Sequence, residues 1–382
     1  MTNNSARDPR LNTANGIPVE RLNNGKPIIS PTEHWWETGV TFNPAAVYLE
    51  PNAENHRIIR ELLPMLPEDD PKLSDGVVAI HYRARPENDP GSEFGRSFIG
   101  LALFTPNLDL LYRYPEPVLS PSSDPQGYDA LGVEDPRISC FDGRYYMVYC
   151  GVQPNPIANW KARLCMAVSD NLLHWTKLGT MTGDVANWSN KDSVFFPHRI
   201  NGRYYLLHRP FAESWPHSEY TIRLAECPTL HGSWKDLGEM MKAYPNPRVV
   251  STWIGAGSEP LRLNDQRYLH IYHTGNYLSD VDREYDIGAA LIDFSRFDPA
   301  NPSEMVVARL EPLMVPETPA ELRSRSQLQV GNVLFACGSY LYQGWLYIIY
   351  GGADTYTLAA RVKLSTLLEG LEQSGLKNPF AG

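Results

Sequence analysis

An all-β fold, a five-bladed β-propeller, is what this 382-residue sequence predicts, on three observations. A hairpin pattern recurs along the chain at intervals suited to propeller blades. The composition, with 21 Tyr, 9 Trp, 28 Gly and 32 Pro, suits many short strands joined by sharp turns better than long helices. No shift in composition divides the chain into two ordinary domains. The reading is therefore one propeller domain over residues 1–382, with an N-terminal extension over about residues 1–75.

The elements follow in chain order. Residues 55–63 read as a short helix within the extension. A strand over residues 77–83 and an apolar segment over 101–111 place the first blade at 77–120. Residues 137–149 then read as strand, Asp142-Gly143 turn and aromatic strand, a β-hairpin signature. Residues 167–175 add a third strand and Trp175, which centres a second blade on 134–180. The hairpin recurs over 199–208 with a turn at Gly202, and the third strand recurs over 224–234 with Trp234, giving a blade at 192–240. Weaker copies over 261–272 and 339–350 mark blades at 255–315 and 333–370, and residues 361–371 supply the closing strand or a terminal helix. Sheets of this kind are apolar on both faces and must stack on neighbours, and closing the ring removes exposed ends. Loops from different blades then meet around a central polar depression.

Charge and cysteine usage exclude some classes. A formal net charge of −10 and a pI near 5.5 argue against nucleic acid as a partner, because phosphate backbones demand concentrated positive charge. Residues 1–9 are polar, and no uncharged apolar run reaches the roughly 18 residues needed to cross a bilayer. A soluble, cytoplasmic protein without a membrane partner is expected. Cys140, Cys150, Cys165, Cys227 and Cys337 form an odd set with no close metal-ligand pair, which fits a reducing compartment and no metal site. Cys140 and Cys150 flank one hairpin, so a disulfide between them stays open.

Candidate chemistry gathers at strand ends. Asp135, within residues 132–137, precedes Pro136, which favours an extended backbone, and Arg137 is placed to compensate a neighbouring carboxylate. The segment fits a fixed acid, and equally an Asp-Pro turn with an Arg–Asp pair. Lys191 and Asp192 precede one strand and Arg209 ends its hairpin partner, so two cationic groups converge across the hairpin. Pairing with Asp192 or Glu213 in solvent is the plainer reading of both. His273 holds the matching position in a later blade, as an anion or sugar ligand or as an ordinary turn histidine. Trp160, Trp188, Trp215, Trp253, Tyr277 and Tyr285 lie in turn-rich segments where rings either border a carbohydrate cleft or cover blade edges. Gly255 and Gly257 permit close backbone approach and bring Glu259 toward the same region, without the strand–helix context of a nucleotide loop.

These residues resemble, in order, the landmarks of the inverting β-mannoside phosphorylases and β-mannosidases of glycoside hydrolase family 130, a five-bladed propeller family. The resemblance spans residues 81–361 and rests on 132–138, 190–197, 207–210, 254–260, 272–275 and 351–355. It implies phosphorolysis of a β-mannoside oligosaccharide with inversion, releasing α-mannose 1-phosphate, with inorganic phosphate as co-substrate and no cofactor. Asp135 matches the family's general acid, which acts through a hydroxyl of the mannose ring. Lys191, Arg209, His273 and Tyr285 match phosphate-side positions, while Arg83, Arg137, Asp192, Trp253 and Asp354 are the expected substrate-binding residues. The chain departs from the phosphorylase pattern at Trp253, where a Lys is usual, at Ser258-Glu259-Pro260, where prolines are usual, and at Asp286, where an Arg is usual. A carboxylate such as Glu259 suits the base of an inverting hydrolase, so that activity stands as the alternative. A non-catalytic glycan-binding propeller is a second alternative, and a homo-oligomer is left open.

Overall fold

Tight turns seed the sheets. Asp142 and Gly143 have φ of 52° and 75°, and the pairing of Phe141 with Arg144 closes the two-residue hairpin that such consecutive positive φ values permit. Asn201-Gly202 and Gln343-Gly344 repeat the device in two other sheets. The computed structural model describes residues 13–67, 69–89, 95–156, 159–279, 282–323 and 330–380, and the polar segment 1–9 lies outside them.

Five sheets result, antiparallel but for the short outermost strand Thr182–Gly183, which pairs parallel with Ser233–Met241, and their innermost strands are Val40–Leu49, Gly132–Phe141, Ser189–Phe195, Ser251–Ala256 and Leu334–Tyr342. Taking them in that order as blades 1 to 5, blade 1 continues outward through Val77–Arg85, Phe98–Phe104 and Leu110–Arg113. The first blade therefore begins at Val40, not near residue 77 as the hairpin pattern suggests, and the helix Ala53–Leu62 lies within its first connection. Residues 361–371 divide between the strand Tyr356–Lys363 and the helix Leu364–Ser374. The outer strand of blade 5 is instead Glu20–Arg21, which pairs with Arg361 and Ala360.

Five apolar clusters fill the five gaps between blades. Val77, Leu101, Val133 and Met147 join blades 1 and 2, and Val148, Leu164, Leu206 and Trp234 join 2 and 3. Leu207, Leu224, Ile254 and Tyr268 join 3 and 4; Ile271, Leu291, Leu334 and Ile348 join 4 and 5. Val78, Ile80, Tyr347 and Ile349 close the ring between 5 and 1. Trp234 is fully buried and Trp175 packs at the edge of its cluster. All five cysteines are free: Cys140 pairs with Tyr145 and Cys150 with Glu134, at opposite ends of their hairpin. Among the described residues no helix is long and apolar enough to cross a membrane.

One irregularity recurs. In blades 1, 2, 3 and 5 the innermost strand loses register just after residues 42, 134, 191 and 336, two positions past its start at 40, 132, 189 and 334. In three of these bulges the next residue has a left-handed backbone: Asn43 at φ 46°, Asp135 at 51° and Asp192 at 53°. A bulge bends the strand and re-aims a side chain, and Asn and Asp tolerate this conformation better than most residues. The repeat that builds the propeller thus turns three polar side chains toward one another. The extended backbone expected of Asp135 before Pro136 is not what forms, because the bulge sets the conformation.

Candidate active site

Asp135 is buried, and its Oδ1 accepts hydrogen bonds from Asn43 Nδ2 at 2.8 Å and Arg83 Nη1 at 3.1 Å. Burial pushes its pKa up, but Arg83, Lys191 and Arg137 outweigh that and hold the carboxyl below the ordinary aspartate value. Arg137 does not pair with the Asp135 carboxylate as the sequence suggests. Its Nη1 donates to the Asp135 carbonyl at 3.0 Å, and its other nitrogens reach the carbonyls of Ala256 and Gly257 at 3.1 and 3.3 Å. Arg83 is the true partner, and it also bonds Ser97 at 2.9 Å and Glu134. Asp354 follows Ala353, both at φ 47°, in the turn after Trp345–Gly352. Burial and the neighbouring Asp135 push Asp354 up to about 6, against the pull of Arg83.

On the facing side, Lys191 and Arg209 are directly opposite in the ladder of blade 3. Arg209 Nε donates to Asp192 Oδ2 at 2.6 Å, and His273 Nε2 lies 3.4 Å from the same oxygen. Asp192 is fully buried, yet Arg209 and His273 hold it far below the ordinary range despite that burial. Burial pushes the pKa of His273 below the ordinary histidine value, with Asp192 opposing. Gly255 makes this approach possible: a Cβ there would sit 2.4 Å from both Asp192 Oδ2 and His273 Nε2. Lys191 is half-buried, acts electrostatically on both Asp135 and Asp192, and has no hydrogen bond or ion pair among the described residues. Arg83, Arg137 and Arg209 are committed to partners, whereas Lys191 is available to an incoming anion.

Aromatic rings wall this side. Trp253 is buried and packs on Tyr277, Tyr285 and His217 with centroids 4.8, 5.1 and 5.5 Å apart, over the bare face of Gly275. The Tyr285 ring is 6.1 Å from that of His273, and burial first, then Asp354, raise its phenol. Trp188 and Trp215 pair with each other farther out, 4.9 Å apart, and Trp160 packs on Phe211.

Glu259 is not brought into this group. It follows the end of Ser251–Ala256, whereas Asp135 and Asp192 lie near the starts of their strands. Its carboxylate reaches Ser139, near the far end of Gly132–Phe141, and burial pushes it up to about 7, with Oε1 enclosed and unpartnered. Sequence reasoning missed Asn43 and Glu134. Asn43-Pro44 repeats Asp135-Pro136 at the same point of an innermost strand, a signal that was there to be read.

The family profile described as β-1,4-mannooligosaccharide phosphorylase, of glycoside hydrolase family 130, matches residues 89–373. A 1,2-β-oligomannan phosphorylase of Thermoanaerobacter sp. (strain X514) is 29% identical over 89% of this chain and 95% of its own. A β-1,2-mannobiose phosphorylase of the same organism is 31% identical over 88% of this chain and 95% of its own. The structure of a β-1,2-mannobiose phosphorylase from Listeria innocua, in complex with β-1,2-mannobiose, superposes with a TM-score of 0.67 at 21% identity, covering 93% of this chain and 99% of that one.

Proposed function

The chain belongs to glycoside hydrolase family 130, and from that premise we propose that it phosphorolyses a β-mannoside with inversion, releasing α-mannose 1-phosphate and a shortened sugar. The observation that carries the reading is the uncommitted Lys191 ammonium beside Arg209, facing a carboxyl pair, Asp135 and Asp354, across the centre. Phosphate held by Lys191 and Arg209, with the Tyr285 hydroxyl alongside, lies on one face of the mannose ring. The leaving oxygen lies on the other, toward Asp135, as inversion requires. Trp253 offers an apolar wall to phosphate in place of a further cation.

Asp135 is ionised in the free protein and needs a proton to act as an acid. An arriving phosphate dianion offsets the field of Lys191, which is one of the charges that hold Asp135 down, and so raises its pKa when the acid is required. Asp135 then protonates the leaving oxygen through the ring hydroxyl as the C1–O bond breaks and the C1–O–P bond forms. Hydrogen phosphate gives up its own proton on becoming an ester, which restores the acid. Arg83 and Asn43 keep the carboxylate oriented throughout.

A hydrolase needs a base on the phosphate side, and Glu259, the residue the sequence offers for that role, belongs to the other end of the channel. β-1,2-Mannobiose is the first substrate to offer, because both relatives from Thermoanaerobacter are named for β-1,2-mannoside chemistry. Turnover should rise saturably with phosphate and yield mannose 1-phosphate. Lys191→Ala should raise the apparent KM for phosphate at least tenfold and that for mannobiose far less, since one charge-assisted hydrogen bond contributes about 1.5–3 kcal/mol. Free mannose produced at the same rate without phosphate would reject phosphorolysis.

A further inference from the structure

Arg85 is an unsatisfied cation at the mouth of the centre. It ends the strand Val77–Arg85 and lies two residues beyond Arg83, so both side chains leave the same face of the sheet, about 7 Å apart along the strand. That face meets blade 2, where Arg83 is bound by Glu134 and Asp135. Arg85 has no such partner: among the described residues its guanidinium makes no hydrogen bond or ion pair, and its Nε is enclosed. Burial and the like charge of Arg83 both push its pKa down, with Glu134, Asp354 and Asp89 acting only as more distant counter-charges. Gly95 packs close against the guanidinium, where a Cβ would crowd Nη2 at 3.1 Å. A half-buried guanidinium without acceptors is costly and calls for an occupant that supplies them.

Direction of attack identifies the occupant. Lys191 and Arg209 of blade 3 and His273 of blade 4 stand on the phosphate side, so inversion sends the leaving sugar the opposite way, past Asp135 toward blades 1 and 2. Arg85 is the next donor on that path after Arg83. Glu134, held by the neighbouring Arg83, has one oxygen engaged by Arg83 and Ser97, which leaves the other to accept from a hydroxyl. A neutral sugar with neighbouring hydroxyls fits this donor and acceptor pair, whereas an acidic one would meet Glu134.

We infer that Arg85, with Glu134, forms the subsite for the leaving-group sugar and sets the preference for a saccharide over other leaving groups. The inference rests on the mannoside-cleaving reading above but not on the nature of the nucleophile. The test compares wild type, Arg85→Ala and Arg85→Lys on β-1,2-mannobiose and on an aryl β-mannoside, which has no leaving sugar. Arg85→Ala should lose about 10- to 100-fold in kcat/KM on mannobiose, the range for one or two charge-assisted hydrogen bonds, and less than threefold on the aryl substrate. Arg85→Lys should recover part of the loss, and the KM for phosphate should not move. An equal fall on both substrates would mean that Arg85 supports the fold or the acid, and no fall on either would mean that it touches no sugar; both overturn the inference. Release of mannose in place of mannose 1-phosphate would defeat phosphorolysis, while the contrast between the two substrates would still judge Arg85.

Discussion

At the scale of single residues, the centre works by holding two carboxyls apart in affinity for protons. Asp135 is held low by Arg83 and Lys191, while Asp354 is pushed up to about 6 by burial and by Asp135 itself. Asp135→Asn keeps the shape and the hydrogen bond to Arg83 but donates no proton as an acid. Turnover of mannobiose should fall by about 10²–10⁴-fold with mannoside binding retained, and a fall under threefold would reject the role. The repulsion between the carboxyls is mutual, so ionised Asp354 raises the pKa of Asp135. Asp354→Asn removes that charge above about pH 6, where Asp354 is ionised, and leaves little electrostatic difference below it. A general acid must be protonated, so the alkaline limb of the kcat/KM profile should move to lower pH in Asp354→Asn. A limb that stays in place while activity drops would mean that Asp354 binds sugar without tuning the acid.

Elements were legible in the sequence where local chemistry dictates them. The Asp142-Gly143 and Asn201-Gly202 turns with their aromatic strands carry their own instructions, because consecutive positive φ values single out such residues. Val40–Leu49 was hidden because a bulge at Asn43-Pro44 breaks its alternation and a helix separates it from its partner strand. Glu20–Arg21 was hidden because two residues carry no periodicity and their partners lie some 340 positions away. The landmarks at Asp135, Lys191, Arg209 and His273 could be read, but not which cation meets which carboxylate, since Arg83 reaches Asp135 across 52 positions. Blade 4 meets the centre without a bulge, and Gly255 supplies the room instead. Gly255→Ala should force Asp192 and His273 apart, costing about 1–3 kcal/mol in stability and raising the KM for phosphate more than that for mannobiose. Unchanged phosphate affinity in a folded variant would mean that the Asp192–His273 contact does not organise the anion side.

For the whole molecule, the site exists only while the ring is closed, since its residues come from all of the blades. Blades 5 and 1 share an apolar cluster, and the chain's own start adds the last strand of blade 5. Among the described residues three ion pairs accompany that strand, one through Glu20 and two through Arg21, and the contributions of the two residues should differ greatly. Glu20 and Arg361 pair at 2.9 Å with half of the Glu20 side chain exposed, so breaking the pair should cost under about 1 kcal/mol. Arg21 is mostly buried and donates to Glu321 at 2.8 Å, to Glu317 at 2.7 Å and to the Val315 carbonyl at 2.7 Å. Glu321 is fully buried, so Arg21→Ala strands a carboxylate, a change that ordinarily costs about 3–5 kcal/mol. The Tyr350 hydroxyl and the backbone N–H groups of Glu317 and Thr318 continue to donate to Glu321, which places the expected loss near the lower end. Urea unfolding should therefore show a large drop in midpoint for Arg21→Ala, little change for Glu20→Ala, and partial recovery when Glu321→Gln is added to Arg21→Ala. Equal small effects from both single variants would mean that the clusters between blades hold the ring and that the first strand merely covers its edge.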